Sequence, residues 1–248
     1  MKLIEAFEYL GNFKKEDFAP DSLSIMPEKW IKDVIDVNSQ EFTNLVQMLE
    51  NLSNAPNCAI VPGSISLKED GNVYNASPLI LSGHLLGWQK KISLFKIEKK
   101  TYSPGRELSI FQIARLKLGV AVCYDIDFPY YAKKLVSLGC DIIVNPSLIH
   151  SDFTDMWHLY IKARALENRI PIISVNSISY PFLGNSIAAD PYSSGSGARL
   201  REHICGSDYR SVFTINPEDS QQIRRDRFNE DPGDYELASY DHFETKFK

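Results

Sequence analysis

The sequence contains no apolar run near the ~20 residues that a membrane-crossing helix requires, so no such span is predicted. Clustered cysteines are also missing. Cys58, Cys123, Cys140 and Cys205 lie far apart with no C-x-x-C pair. That spacing argues against a zinc ribbon or a disulfide framework and fits a reducing cytoplasm. A basic excess is lacking too: the net charge is -5, which argues against a nucleic-acid partner. The opening MKLIEAFEYLGNFKKED carries Glu5 and Glu8 within its most apolar part, unlike a secretory signal.

What is present suits a globular protein with a sizeable core: 248 residues, 44% hydrophobic and 24% charged. We read residues 1–248 as one domain with a charged tail from about residue 218 that shows no apolar period. Apolar spacing predicts helices over 2–15, 39–52 (with Ser39 as N-cap), 128–139 and 152–169. Buried strands are predicted over 22–26, 57–66, 140–147 and 171–179, and a hairpin turns at Asp70-Gly71. GWQKKISLF continues as a strand, and residues 108–125 form a strand pair. Residues 179–197, rich in Gly, Pro and Ser, read as loop, and 204–217 as a late strand. Strands alternating with helices indicate an α/β architecture.

Cys123 stands in GVAVCYDIDFP, where an apolar strand hands over to a helix. A cysteine there sits on a sharp turn, the geometry of a nucleophile elbow with sulfur in place of oxygen. The neighbouring helix N-terminus would favour its thiolate. Glu28 in IMPEKW and Lys91 in WQKKISLF lie at the ends of other predicted strands, and active sites of α/β sheets gather at such ends. Each residue has a plainer reading. Cys123 could be a small buried hydrophobe, Glu28 a helix cap, and Lys91 a solvated lysine with Lys90 as its rival.

Taken together and in order, these motifs resemble the nitrilase superfamily, the carbon-nitrogen hydrolases. The resemblance rests on Pro27-Glu28, Lys91 in KISLF, Glu98 in EKKTYSPG and Cys123 in CYDIDFP. DGNVYNASPLI, WHLYIKARALENRIPIISVN and GNSIAADP extend it from about Leu23 to the tail. It implies a four-layer αββα sandwich, often dimerised, and neither a metal nor an organic cofactor. It also implies cleavage of a small amide through a cysteine acyl-enzyme, with release of ammonia or an amine. Glu28 would be the general base, and Lys91 with the Tyr124 backbone N–H would hold the oxyanion, oriented by Glu98. A nitrile substrate, acyl transfer to an amine, or a non-catalytic scaffold that keeps the fold are the alternatives. A Cys-His pair using His150 or His158 is a lesser one.

Two departures from the family pattern shape further expectations. The opening strand is expected to be absent or rebuilt, because a helix is predicted over residues 2–15. Asp127 and Tyr130 stand where many relatives carry an arginine before Phe-Pro and a glutamate after it. Without that arginine to clamp a carboxylate, a neutral or cationic substrate is expected. The candidate pocket residues are Asp127, Tyr130, Trp88 and His150, with loops 150–155 and 180–185. The expected partners are a small-molecule amide or nitrile and further copies of the chain in a homodimer or larger homo-oligomer, with the tail reaching across; no nucleic acid or membrane partner is expected.

Overall fold

The computed structural model describes residues 3–5, 17–29, 31, 33–195, 197–206 and 210–230. Its first sheet is built from β1 (Leu3–Glu5), β2 (Leu23–Ile25), β3 (Val34–Asp36), β4 (Ala59–Val61), β5 (Ile65–Glu69), β6 (Asn72–Leu81) and β7 (His84–Lys90). Their order is β1-β2-β4-β6-β5-β3, with β7 also paired to β6. Helix α1 (Gln40–Leu52) belongs to this half. The second sheet runs β13-β12-β11-β10-β9-β8. Its strands are β8 (Ile110–Ile113), β9 (Leu116–Val120), β10 (Ile142–Pro146), β11 (Ile172–Val175), β12 (Ser186–Ser194) and β13 (Gly197–Cys205). Helix α2 (Pro129–Ser137) links β9 to β10, and α3 (Thr154–Asn168) links β10 to β11. These three strands are parallel, as crossover helices require.

Period-two burial divides the core into layers. Ala59 and Val61 of β4 face Val120, Val144 and Ile173 between the sheets, while Ile60 turns outward to Leu45, Leu49 and Leu52 of α1. In β10, Ile142 and Val144 face inward and Ile143 meets α2 and α3 through Leu135 and Ile161. The result is helix, sheet, sheet, helix: the expected αββα sandwich. α2 lies so close to β9 that a Cβ at Gly119 would stand 2.9 Å from Leu135 Cδ1.

Local signals decide several elements. Ser39 Oγ accepts the Phe42 N–H at 3.1 Å, so the predicted cap of α1 is in place. Asp70 and Gly71 both take positive φ (48° and 79°), as a two-residue hairpin turn needs, and Glu69 pairs with Asn72.

Other expectations are corrected. Leu3–Glu5 is a strand parallel to β2 rather than part of a helix, so the opening strand is present, too short for any period to show; residues 6–16 lie outside the described ones. Pro62 and Gly63 (φ 73°) split 57–66 into β4 and β5. Of the segment read as loop, residues 179–185 are loop, but from Ser186 on it belongs to the hairpin of β12 and β13, paired from Ser186–Cys205 to Ser194–Gly197. Its Gly, Pro and Ser content masked the alternation. The late strand ends at Cys205 instead of beginning near it.

The first part of the charged tail forms α4 (Glu218–Glu230), which packs on its own chain; the rest, on which the expected reach to a partner subunit also falls, lies outside the described residues. Arg224 reaches Asp141 at 2.9 Å, and Phe228 joins the cluster around α2 and α3. Its buried anchors are polar or isolated, so no apolar stripe marked it.

Candidate active site

Three strand exits converge between the sheets. Glu28 follows β2, its N–H directed to the Ser147 carbonyl (3.3 Å). Lys91 follows β7; its N–H donates to the Asn75 carbonyl (2.8 Å), and its carbonyl accepts from Gly105 (2.7 Å). Cys123 follows β9 and opens a 3-10 turn that ends at Asp127. It is held at φ 45°, a conformation L-residues rarely adopt and one that neighbouring contacts must enforce. Those contacts are visible. Asn145 Nδ2 donates to the carbonyls of Ala121 (2.7 Å) and Cys123 (3.1 Å). Asp125 accepts the backbone N–H groups of Val122 (3.1 Å), Ile92 (3.2 Å) and Ser93 (2.6 Å), tying the cysteine turn to the segment after Lys91. Burial raises Asp125 to about 7, against the pull of those N–H groups and of Lys91.

The charged side chains form one network. Lys91 Nζ lies 2.8 Å from Glu28 Oε1 and 2.8 Å from Glu98 Oε2, with the lysine 1% exposed. Asn75 Nδ2 donates to Glu28 Oε1 (2.7 Å) and Glu98 Oε1 (3.2 Å). Lys29 Nζ pairs with Glu98 Oε1 at 2.8 Å, and the Phe95 N–H donates to Glu98 Oε2 at 2.8 Å. Burial would deprotonate Lys91, but the charges of Glu28, Cys123 and Glu98 outweigh it and hold the ammonium above its ordinary range. Burial likewise opposes ionisation of Glu98, yet Lys91 and the hydrogen bonds from Lys29, Lys91 and Phe95 bring it to about 2.

Beside the Cys123 thiol stand the Glu28 carboxylate and the Lys91 ammonium, and the charge of each acts on it. Burial and the Glu28 charge push its pKa well above the ordinary value, more than Lys91 lowers it. The expected resting thiolate is therefore corrected. α2 begins only at Pro129, beyond the turn that holds the sulfur, and the glutamate favours the protonated form.

These groups open on a cavity of about 480 Å³, within the usual range for small-molecule sites. Glu28, Lys91, Glu98, Cys123, Tyr124, Asp127 and His150 all line it. Loops 150–155 and 180–185 contribute Phe153 and Phe182. Tyr130 and Trp88 do not line it. Tyr130 is 85% exposed, while its neighbour Tyr131 is buried and donates to the Val120 carbonyl. Trp88 faces α1, its ring 5.8 Å from that of Phe42. Lys90, the rival of Lys91, pairs with Glu69 and lies over the Tyr74 ring.

The two histidines weighed as a base have other partners: His158 Nε2 meets the Asn185 carbonyl, and His150 Nδ1 stands 3.5 Å from Asp152. Among the described residues no group of His, Cys, Asp and Glu is arranged to hold a metal ion, and no helix is long and apolar enough to cross a membrane. Sequence reading missed Lys29, Asn75, Asp125 and Asn145. Lys29 takes φ 55°, which turns it back toward Glu98; nothing local in the sequence announces that.

A family model described as carbon-nitrogen hydrolase matches residues 21–195. A probable nitrilase of Schizosaccharomyces pombe is 33% identical over 166 residues, 65% of this chain and 60% of that protein. An omega-amidase of Xenopus tropicalis is 30% identical, over 72% of each chain. Among solved structures, a carbon-nitrogen hydrolase superfamily protein of Xanthomonas campestris shares the fold with a TM-score of 0.75. It is 20% identical, with 96% of this chain and 99% of that one covered.

Proposed function

Because this chain belongs to the carbon-nitrogen hydrolase family, we propose that it is an amidase acting through Cys123, Glu28 and Lys91. The observation that carries the reading is a buried thiol acted on by the charge of a carboxylate that also holds a buried ammonium at 2.8 Å. Glu28 takes the Cys123 proton as the sulfur attacks the amide carbon, so thiolate forms only when it is used. The carbonyl oxygen gains negative charge and is held by the Lys91 ammonium and the Tyr124 N–H. Collapse breaks the carbon–nitrogen bond. Glu28 returns its proton to the departing ammonia or amine, leaving a thioester. Water, deprotonated by Glu28, then attacks the thioester; the acid leaves and the thiol is restored.

Glu98, Asn75 and Lys29 are positioning residues that keep Lys91 charged and aimed. Glu98 is saturated by donors, which leaves Glu28 as the carboxylate free to move a proton.

The reading treats residues 1–248 as one catalytic domain, since both sheets supply the site. It extends to a cytoplasmic homo-oligomer, dimer or larger. Supporting this are four buried cysteines, none of them in a disulfide, and the exposed Phe153, Met156 and Leu159 at spacings of three. A monomer in sedimentation velocity would contradict the oligomer. The test of the chemistry is ammonia release from a panel of small amides, carbamoyl compounds and nitriles. Turnover of an amide that Cys123→Ala abolishes is the expected result; wild type indistinguishable from that variant across the panel would refute it.

A further inference from the structure

The cavity has an ionic part and an apolar part. In the first, Glu28, Lys91, Glu98 and Lys29 pair with one another. The second is formed chiefly by Phe95, Ile149, Phe153, Met156, Trp157 and Phe182, four of them aromatic. Trp157 spends its indole N–H on Ser174 Oγ (2.8 Å), so it offers the cavity only its ring. Phe95, Phe153 and Met156 line the cavity and are nevertheless exposed. That is apolar area a ligand would remove from water. Among the described residues, no cation of the wall is placed to grip a carboxylate. Lys91 and Lys29 already hold carboxylates, and Lys96 is exposed over the Phe95 ring, where an ion pair is worth little. His150 stands beside Asp152. The carboxylates are no better placed for a cation: Glu28 and Glu98 hold the lysines, and Asp127 Oδ1 is shut inside the protein.

Building on the amidase reading, we infer that the substrate's acyl group is bulky, uncharged and apolar, an arylalkyl group above all. The leaving nitrogen and the hydrolytic water both exchange a proton with Glu28, so both belong to the ionic part of the cavity. The acyl chain stays on the sulfur through both steps and is left with the apolar part. A phenyl ring there gains edge and face contacts with the four aromatic side chains, beyond the area it buries. An ω-carboxylate or ω-ammonium in the same place would give up water without gaining a partner. At about 480 Å³ the cavity is also far larger than an acetyl group needs.

The test pairs turnover with binding. Ammonia release by wild type is measured for 3-phenylpropionamide, butyramide, acetamide, succinamic acid and 4-aminobutyramide, and the same compounds are titrated calorimetrically into Cys123→Ala. In kcat/KM, 3-phenylpropionamide should exceed acetamide by about 10²-fold. Butyramide should exceed both of its ω-charged counterparts by about tenfold or more. N-phenethylacetamide, read by release of its amine, carries the ring on the other side of the scissile bond and should fall well below 3-phenylpropionamide. Phe153→Ala and Phe182→Ala, made separately so that each checks the other's folding, should lower the ratio of 3-phenylpropionamide to acetamide about fivefold. A ratio near one in wild type, a ratio that neither variant moves, or a preference for a charged chain or for N-phenethylacetamide would overturn the inference. Turnover of any of these amides in that case still leaves the amidase reading standing. Tighter binding of 3-phenylpropionamide to Cys123→Ala, with no product from any compound in wild type, does the reverse: the apolar pocket stands and the amidase reading falls.

Discussion

Two buried thiols flank helix α2, and they differ in everything except burial. Cys123 is 8% exposed and Cys140 1% exposed. Burial raises both pKa values, Cys140 to about 12. Cys140 spends its S–H on the Ile142 carbonyl at 3.0 Å, a partner that cannot take a proton. Cys123 meets a carboxylate that can, and an ammonium that lowers the cost of the resulting anion. A raised pKa is therefore no mark of inertness by itself. What separates nucleophile from filler is whether the acceptor is a base and whether positive charge stands nearby.

Removing each sulfur breaks the comparison most directly. Cys123→Ala should lower amide turnover by about 10⁴-fold or more. Cys140→Ala should stay within about twofold of wild type in kcat/KM, at a stability cost of about 1 kcal/mol. Next in size, Glu28→Gln keeps the shape of the side chain beside the thiol but removes the base. A fall in kcat of about 10³-fold is expected, with the melting temperature as control. Lys91→Met deletes the ammonium and should cost about 10²-fold in kcat, as loss of an oxyanion donor does. A change confined to KM would contradict the role assigned to it.

The smallest effect is thermodynamic. Glu98 titrates at about 2 against its usual 4.5. It thus contributes stability that is fully present above pH 4.5 and is lost as pH falls toward 2. The shift corresponds to about 3 kcal/mol. In urea titrations Glu98→Gln should be less stable at pH 7, and the gap should narrow on acidification. A gap independent of pH would show that Glu98 acts by packing alone.

The sequence carried the reactive groups because each ends a strand, and strand ends follow from apolar runs. It did not carry their supports. Asn75 lies mid-strand in β6, and Asn145 on β10; both matter only because distant strands approach them. Trp88 and Tyr130 failed as pocket residues for reasons of periodicity. Along β7 and its exit, Gln89 and Lys91 are buried inward while Trp88 takes the opposite face. On α2 the step from Tyr130 to Tyr131 rotates about 100°, enough to carry one ring into solvent and the other into the core. Asp127 was legible as a pocket residue, since it lies within the cysteine turn itself.

The central claim is that Glu28 makes Cys123 the reactive thiol of this chain. Site-resolved alkylation with iodoacetamide, read by peptide mass spectrometry on the folded protein, tests it directly. Cys123 should label at least about tenfold faster than Cys58, Cys140 and Cys205, and Glu28→Gln should erase that advantage. Equal rates at all four cysteines, or a Cys123 rate unchanged by Glu28→Gln, would contradict the account.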